Sequence, residues 1–200
     1  MTVFPTNKME LLRKGVRLIR DFCKLNKIPV PSVQIVLARQ WHWNACAYYD
    51  EQSICICLER CQHPCGDARG SNWTWPGSSV DREPYGVVAH ELGHHVDRYT
   101  GERKGRYSSE YSGHVRDKSE EPPLTGYCPN DSEWFAEMFR LFVTNPELLK
   151  KLRPATHRVL TSKWKPVVMT DWQEAMGTNV PQRVVVAQIS KIRKANSYLR

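Results

Sequence analysis

The run His90-Glu91-Leu92-Gly93-His94 constrains this chain more than any other stretch. On a helix, a four-residue step stacks two side chains on one face a turn apart, so both imidazoles point the same way. Glu91 adds a carboxylate beside that face. This is the HExxH arrangement, in which two histidines hold a zinc ion. With seven histidines and thirteen glutamates in 200 residues, chance would produce it about 0.016 times. The surroundings suit a helix over 83–99: Pro84 fits a first turn, Val87, Val88 and Leu92 supply an apolar face, and Gly101 is a stop signal. The competing reading is a surface helix with two incidental histidines.

Two imidazoles do not complete a catalytic zinc site, which needs a third protein ligand and a position open to water. A third histidine six residues past His94 would be one solution, but Thr100 stands there and Asp97 precedes it, so that spacing is excluded. Residues 132–142 offer a better donor. They read as a second amphipathic helix with Glu133 and Glu137 at i and i+4 on a common face. One carboxylate can bind zinc while the other accepts the free N–H of a ligand histidine and fixes its tautomer. His114, twenty residues past His94, is the rival third ligand.

Together the two motifs resemble the zincin metallopeptidases with a glutamate third ligand, and within them the branch containing anthrax lethal factor and the Pro-Pro endopeptidases. Members carry HELGH and then a helix of the form E-F-F-A-E-x-F; here the second motif is Glu133-Trp134-Phe135-Ala136-Glu137-Met138-Phe139. Residues 143–149 also look like small peptidase-like proteins of bacteriophage genomes, which gives the chain a phage or bacterial flavour. The likeness spans about residues 84–153. It implies an α+β, zincin-like fold, Zn2+ as cofactor, His90, His94 and Glu133 as ligands, Glu91 as general base and Glu137 behind a ligand histidine. The implied activity is hydrolysis of peptide bonds within a protein substrate. Members also place an oxyanion-stabilising tyrosine seven residues before the ligand glutamate. That position is Gly126 here, with Tyr127 one residue late. Tyr127 is the candidate, Tyr107 and Tyr111 are alternatives, and an ordinary loop tyrosine is the competing reading.

Two other functions remain open from the sequence. One is an SprT-like or ImmA-like protease acting on nucleic-acid-associated proteins, the former using a histidine as third ligand. The other is a binding or assembly module whose zinc is structural and closed to water.

The formal charge of +8 is uneven. Residues 1–27 carry seven Lys/Arg against two acids, residues 154–200 eight against two, and residues 28–153 fourteen against seventeen. Basic ends of this kind can touch nucleic acid through counterion release, but no nucleic-acid motif accompanies them, so solvated helix faces are favoured. The seven cysteines are an odd set without a signal peptide, which argues for reduced thiols. Cys55, Cys57, Cys61 and Cys65 could hold a second metal, yet their spacing is irregular, and buried thiols explain them equally well.

Two hundred residues fit one domain, 1–200, with helix, sheet and HExxH helix in 1–99 and the third-ligand helix and helical remainder in 100–200. No apolar run approaches the roughly 20 residues of a membrane span, and Met1 opens no secretory signal, so a cytoplasmic protein is expected. The pattern predicts a core-packing helix over 8–26, a strand over 33–38 and a hairpin of 41–49 with 53–58, the latter a plausible edge strand for an extended substrate or, equally, a central strand, since sequence order does not fix strand order. Residues 62–79, with Trp73 and Trp75, read as a loop over the cleft, 100–131 as a second long connection, and 146 onward as further helices, ending in a basic one over 181–199.

Overall fold

The computed structural model describes residues 7–41, 45–61, 82–102, 109–125 and 130–167. The first element is α1 (Lys8–Asn26), whose bounds are those the apolar spacing predicts. Local chemistry fixes both ends. The Asn7 side chain accepts the Glu10 N–H at 2.8 Å, and Lys27 enters the left-handed region (φ 55°), returning the Ile28 N–H to the Cys23 carbonyl at 3.0 Å. Leu11, Leu18, Ile19 and Phe22 are buried.

Three short strands follow: β1 (Ser32–Ile35), β2 (Ala47–Asp50) and β3 (Ser53–Ile56). The hairpin forms, but with shorter strands than the expected 41–49 and 53–58: Ala47 stands opposite Ile56 and Asp50 pairs with Ser53, leaving Glu51, at φ 48°, and Gln52 in the turn. β1 runs parallel to β3 on its other side, so the order is β1-β3-β2. Of the two readings of 53–58, an edge strand or a central one, the central one is therefore observed for Ser53–Ile56. Ile54, Cys55 and Ile56 are all buried, the unbroken apolar run of a strand covered on both faces. β1 is also shorter than expected. After the Val36 N–H bonds the Ile56 carbonyl at 2.9 Å, the Glu59 carboxylate captures the Ala38 N–H and the chain bends into one 3-10 turn, Ala38–Gln40.

The remaining elements are helical: α2 (Pro84–Glu102), α3 (Ser109–Ser119), α4 (Asp131–Thr144), α5 (Pro146–Leu152) and α6 (Pro154–Thr161). α2 runs past its expected end through Gly101, because Thr100 and Gly101 are buried and the helix continues beneath its neighbours. α3 corrects the reading of 100–131 as one connection. Tyr111, Val115 and Ser119 recur at four-residue steps and bury a stripe against α4 and α6. α4 lies at the centre, every residue from Trp134 to Thr144 buried, as befits a helix apolar on nearly all sides. Phe22 meets Phe139 edge-on at 5.3 Å, and Phe139 packs on Phe135 and Phe142. Gly93 lets α2 and α4 approach closely: a Cβ there would lie 2.7 Å from the Ala136 Cα.

The result is a mixed α+β fold with a three-stranded sheet and a mostly helical remainder. No helix among the described residues is long and apolar enough to cross a membrane.

Candidate metal centre

The close α2–α4 crossing brings the two sequence motifs together. His90 and His94 lie one turn apart on α2, and Glu133 sits in the first turn of α4, its own N–H held by the Asn130 side chain at 2.9 Å. A carboxylate there is also favoured by the helix dipole. His90 Nε2 is 3.0 Å from Glu133 Oε2, His94 Nε2 is 3.4 Å from the same oxygen, and the two Nε2 atoms are 3.2 Å apart. Tetrahedral zinc with ligand bonds near 2.05 Å has ligand–ligand edges of roughly 3.3 Å. These donors already stand at three corners of such a tetrahedron. Among the described residues they are the one group of three or more His, Cys, Asp or Glu that could hold a metal ion. The side chains of His94 and Glu133 keep 18% and 21% exposure, so one flank of the group reaches solvent.

The outer ring nitrogens are held by two different networks. His90 Nδ1 lies 2.8 Å from Glu137 Oε1, where only a donated proton makes a bond, so Nε2 is left for the metal. Arg140 grips the same carboxylate with Nε at 3.1 Å and a second guanidinium nitrogen at 3.3 Å. Glu137 and Arg140 are buried, each compensating the other's charge. His94 Nδ1 lies 3.1 Å from Ser132 Oγ, and Ser132 spends its own proton on Asp97 Oδ2 at 3.4 Å. Asp97 Oδ1 accepts the Ser112 N–H at 2.9 Å, tying α3 to the same network.

Electrostatics follow this geometry. Burial opposes charging His90, but its bonds to Glu133 and Glu137 outweigh that and push it up to about 10, a proton standing where a cation would sit. Glu133 feels the same burial, yet both imidazoles hold it well below the usual carboxylate range. Glu137 is likewise lowered, to about 2, by Arg140 and His90 against the cost of burial. Glu91 is raised, chiefly by burial, although the two imidazoles and the Tyr49 backbone N–H draw it back. A buried carboxylate with a raised pKa, beside a metal-ligand pair, suits a general base.

The expected residues divide clearly. His90, His94, Glu133, Glu91 and Glu137 converge, whereas His114 is exposed on α3 outside the group. Tyr111 is buried, and its hydroxyl accepts the Trp164 Nε1–H at 2.8 Å, which makes it a core residue. Tyr127 and Tyr107 lie outside the described residues, as do Trp73, Trp75 and 181–199. His95 faces away from the site: its Nδ1 meets the Tyr49 hydroxyl at 3.0 Å and its Nε2 the Pro29 carbonyl at 2.9 Å. Cys55, Cys57 and Cys61 are free buried thiols and Cys65 is outside the described residues. Ser132, Asp97, Arg140 and the Tyr49 N–H were not anticipated. Arg140 carried a signal, since a cation three residues from Glu137 in an apolar helix must find an acid.

Comparison with family models, with curated proteins and with solved structures finds no match.

Proposed function

We propose that this chain is a zinc-dependent endopeptidase. The observation that carries the reading is the meeting of His90 Nε2, His94 Nε2 and Glu133 Oε2 at 3.0–3.4 Å, with Glu91 beside them. Zinc suits this donor set, two neutral imidazoles and one carboxylate, better than harder cations that favour all-oxygen ligands. When bound, it supplies Lewis acidity and a water of lowered pKa. The chain's residues do the rest. Glu137 and Ser132 hold the imidazoles in the tautomer that leaves both Nε2 lone pairs directed at the metal. The Glu91 carboxylate takes the proton of the attacking water and later delivers it to the leaving amine. Tyr127 is the proposed oxyanion donor, and β2, the edge strand against α2, is the proposed rail for an extended protein segment. The exposed position of His114 disfavours the variant with a third histidine.

The test is digestion of a proteome-derived peptide library by the zinc-loaded protein, read by mass spectrometry. Wild type should generate new N-termini with a common sequence preference. Glu91→Gln should keep its zinc and lose at least 100-fold in rate. Glu91→Gln with full activity refutes the mechanism, and zinc-loaded wild type without any cleavage returns the site to a structural role.

A further inference from the structure

We propose that the solvent face of α1 is a docking surface for the phosphate backbone of a nucleic acid. The basic N-terminal region is organised more tightly than its composition requires. Arg13, Arg17, Arg20 and Lys24 follow one another at steps of four, three and four residues, and Lys27 comes three residues later at the helix cap. At 100° per residue the four helical cations lie within about 40° of one line, along about 16 Å of helix. All five are exposed. None forms an ion pair with another described residue, whereas Lys14, off that line, is paired with Glu10 at 3.7 Å. Asn26, on the Phe22 side of the helix, bonds the Lys165 backbone in both directions, at 3.0 and 2.8 Å, and so anchors the C-terminal end of α1 away from that line.

The opposite face of α1 decides what kind of polyanion fits. Leu11, Leu18 and Phe22 are buried, and Gly15 is pressed so closely on α2 that a Cβ would lie 2.3 Å from a Val88 methyl. An in-plane membrane helix must offer its apolar face to acyl chains, but that of α1 is spent on the core, leaving only Met9 and Leu25 exposed near its two ends. What remains is a row of cations on a helix, with the exposed Asp21 at its flank. On a nucleic acid such a row gains affinity by releasing condensed counterions, without reading bases. The row faces away from α2, so a bound duplex leaves the metal group accessible. This inference stands independently of the peptidase reading.

The experiment is fluorescence anisotropy of a labelled 20-base-pair duplex of mixed sequence, titrated with the full chain from 50 to 300 mM salt. With five phosphate contacts, the logarithm of affinity should fall against the logarithm of salt with a slope of about 4–5. The Arg17→Gln/Arg20→Gln/Lys24→Gln variant should lose about 2.7 of that slope and weaken on the order of 100-fold at 0.15 M salt. Lys191→Gln/Arg193→Gln/Lys194→Gln, in the basic C-terminal part of the sequence, should change affinity far less. Circular dichroism confirms that the variants fold. The proposal is overturned if wild type fails to bind at 50 mM salt, if the α1 variant binds as wild type does, if only the C-terminal variant loses binding, or if the chain prefers phosphatidylserine vesicles to the duplex.

Discussion

Gly93→Ala should loosen the helix crossing on which the metal group depends. A Cβ at this position would sit 2.7 Å from the Ala136 Cα, 3.2 Å from its Cβ and 3.3 Å from its carbonyl oxygen. Ordinary contact begins near 3.4 Å, so α2 and α4 must separate by about 0.7 Å. The nearest atom is backbone, and no rotamer change relieves it. Overpacking of this kind costs about 1–3 kcal/mol, while exchanging glycine for alanine within a helix returns up to about 1 kcal/mol. The expected result is a net loss of about 1–2 kcal/mol in urea denaturation of the metal-free protein. A second effect is more diagnostic. Glu133 lies one turn before Ala136 and moves with it, opening the 3.0 and 3.4 Å gaps to the imidazoles, so zinc affinity should fall about tenfold in chelator competition. Gly15→Ala is the control, because it crowds the α1–α2 contact and should cost stability without altering zinc affinity. Gly93→Ala with unchanged stability and unchanged zinc affinity would refute the close-approach argument.

The buried acid groups give two more expectations. Glu137→Ala strands the Arg140 guanidinium in the core and should destabilise the fold by about 3–5 kcal/mol, with zinc affinity reduced 10–100-fold. Adding Arg140→Met should restore much of the stability but none of the zinc affinity, and recovery of both in calorimetry and chelator competition would show that Glu137 does not orient His90. Asp97 is pushed by burial up to about 6 from its ordinary 3.8, against the bonds from Ser112 and Ser132. A raised acid pKa means the folded state binds its proton more tightly, so the cost of ionising it is full above pH 6 and gone below pH 3.8. Asp97→Asn should therefore gain on wild type by up to about 3 kcal/mol as pH rises from 3.8 to 7, and a pH-independent difference in urea melts would contradict this.

Much of the fold and site was legible because local spacing carried it. The α1 bounds follow from apolar periodicity and its caps, and the histidine pair, Glu133 and Glu137 follow from four-residue steps on two helices. Strand order was not legible. Nothing in the order of β1, β2 and β3 along the chain says that β1 returns in parallel to β3, although the unbroken run Ile54-Cys55-Ile56 hinted at a central strand. α3 was hidden because Gly113 and its charged residues dilute a stripe that only Tyr111, Val115 and Ser119 define. Ser132 and Asp97 escaped notice because their roles arise from contact between helices. A serine beside a ligand, or an aspartate three residues past one, says little until α2, α3 and α4 meet.

The central claim is that His90, His94 and Glu133 jointly bind one metal ion. It is tested most directly by metal content measured with mass spectrometry on protein purified without chelator, for wild type, Glu133→Ala and His114→Ala. Wild type and His114→Ala are expected to hold one zinc per chain, and Glu133→Ala to lose it. Retention of zinc by Glu133→Ala, or its loss from His114→Ala, would contradict the ligand set derived from the structure.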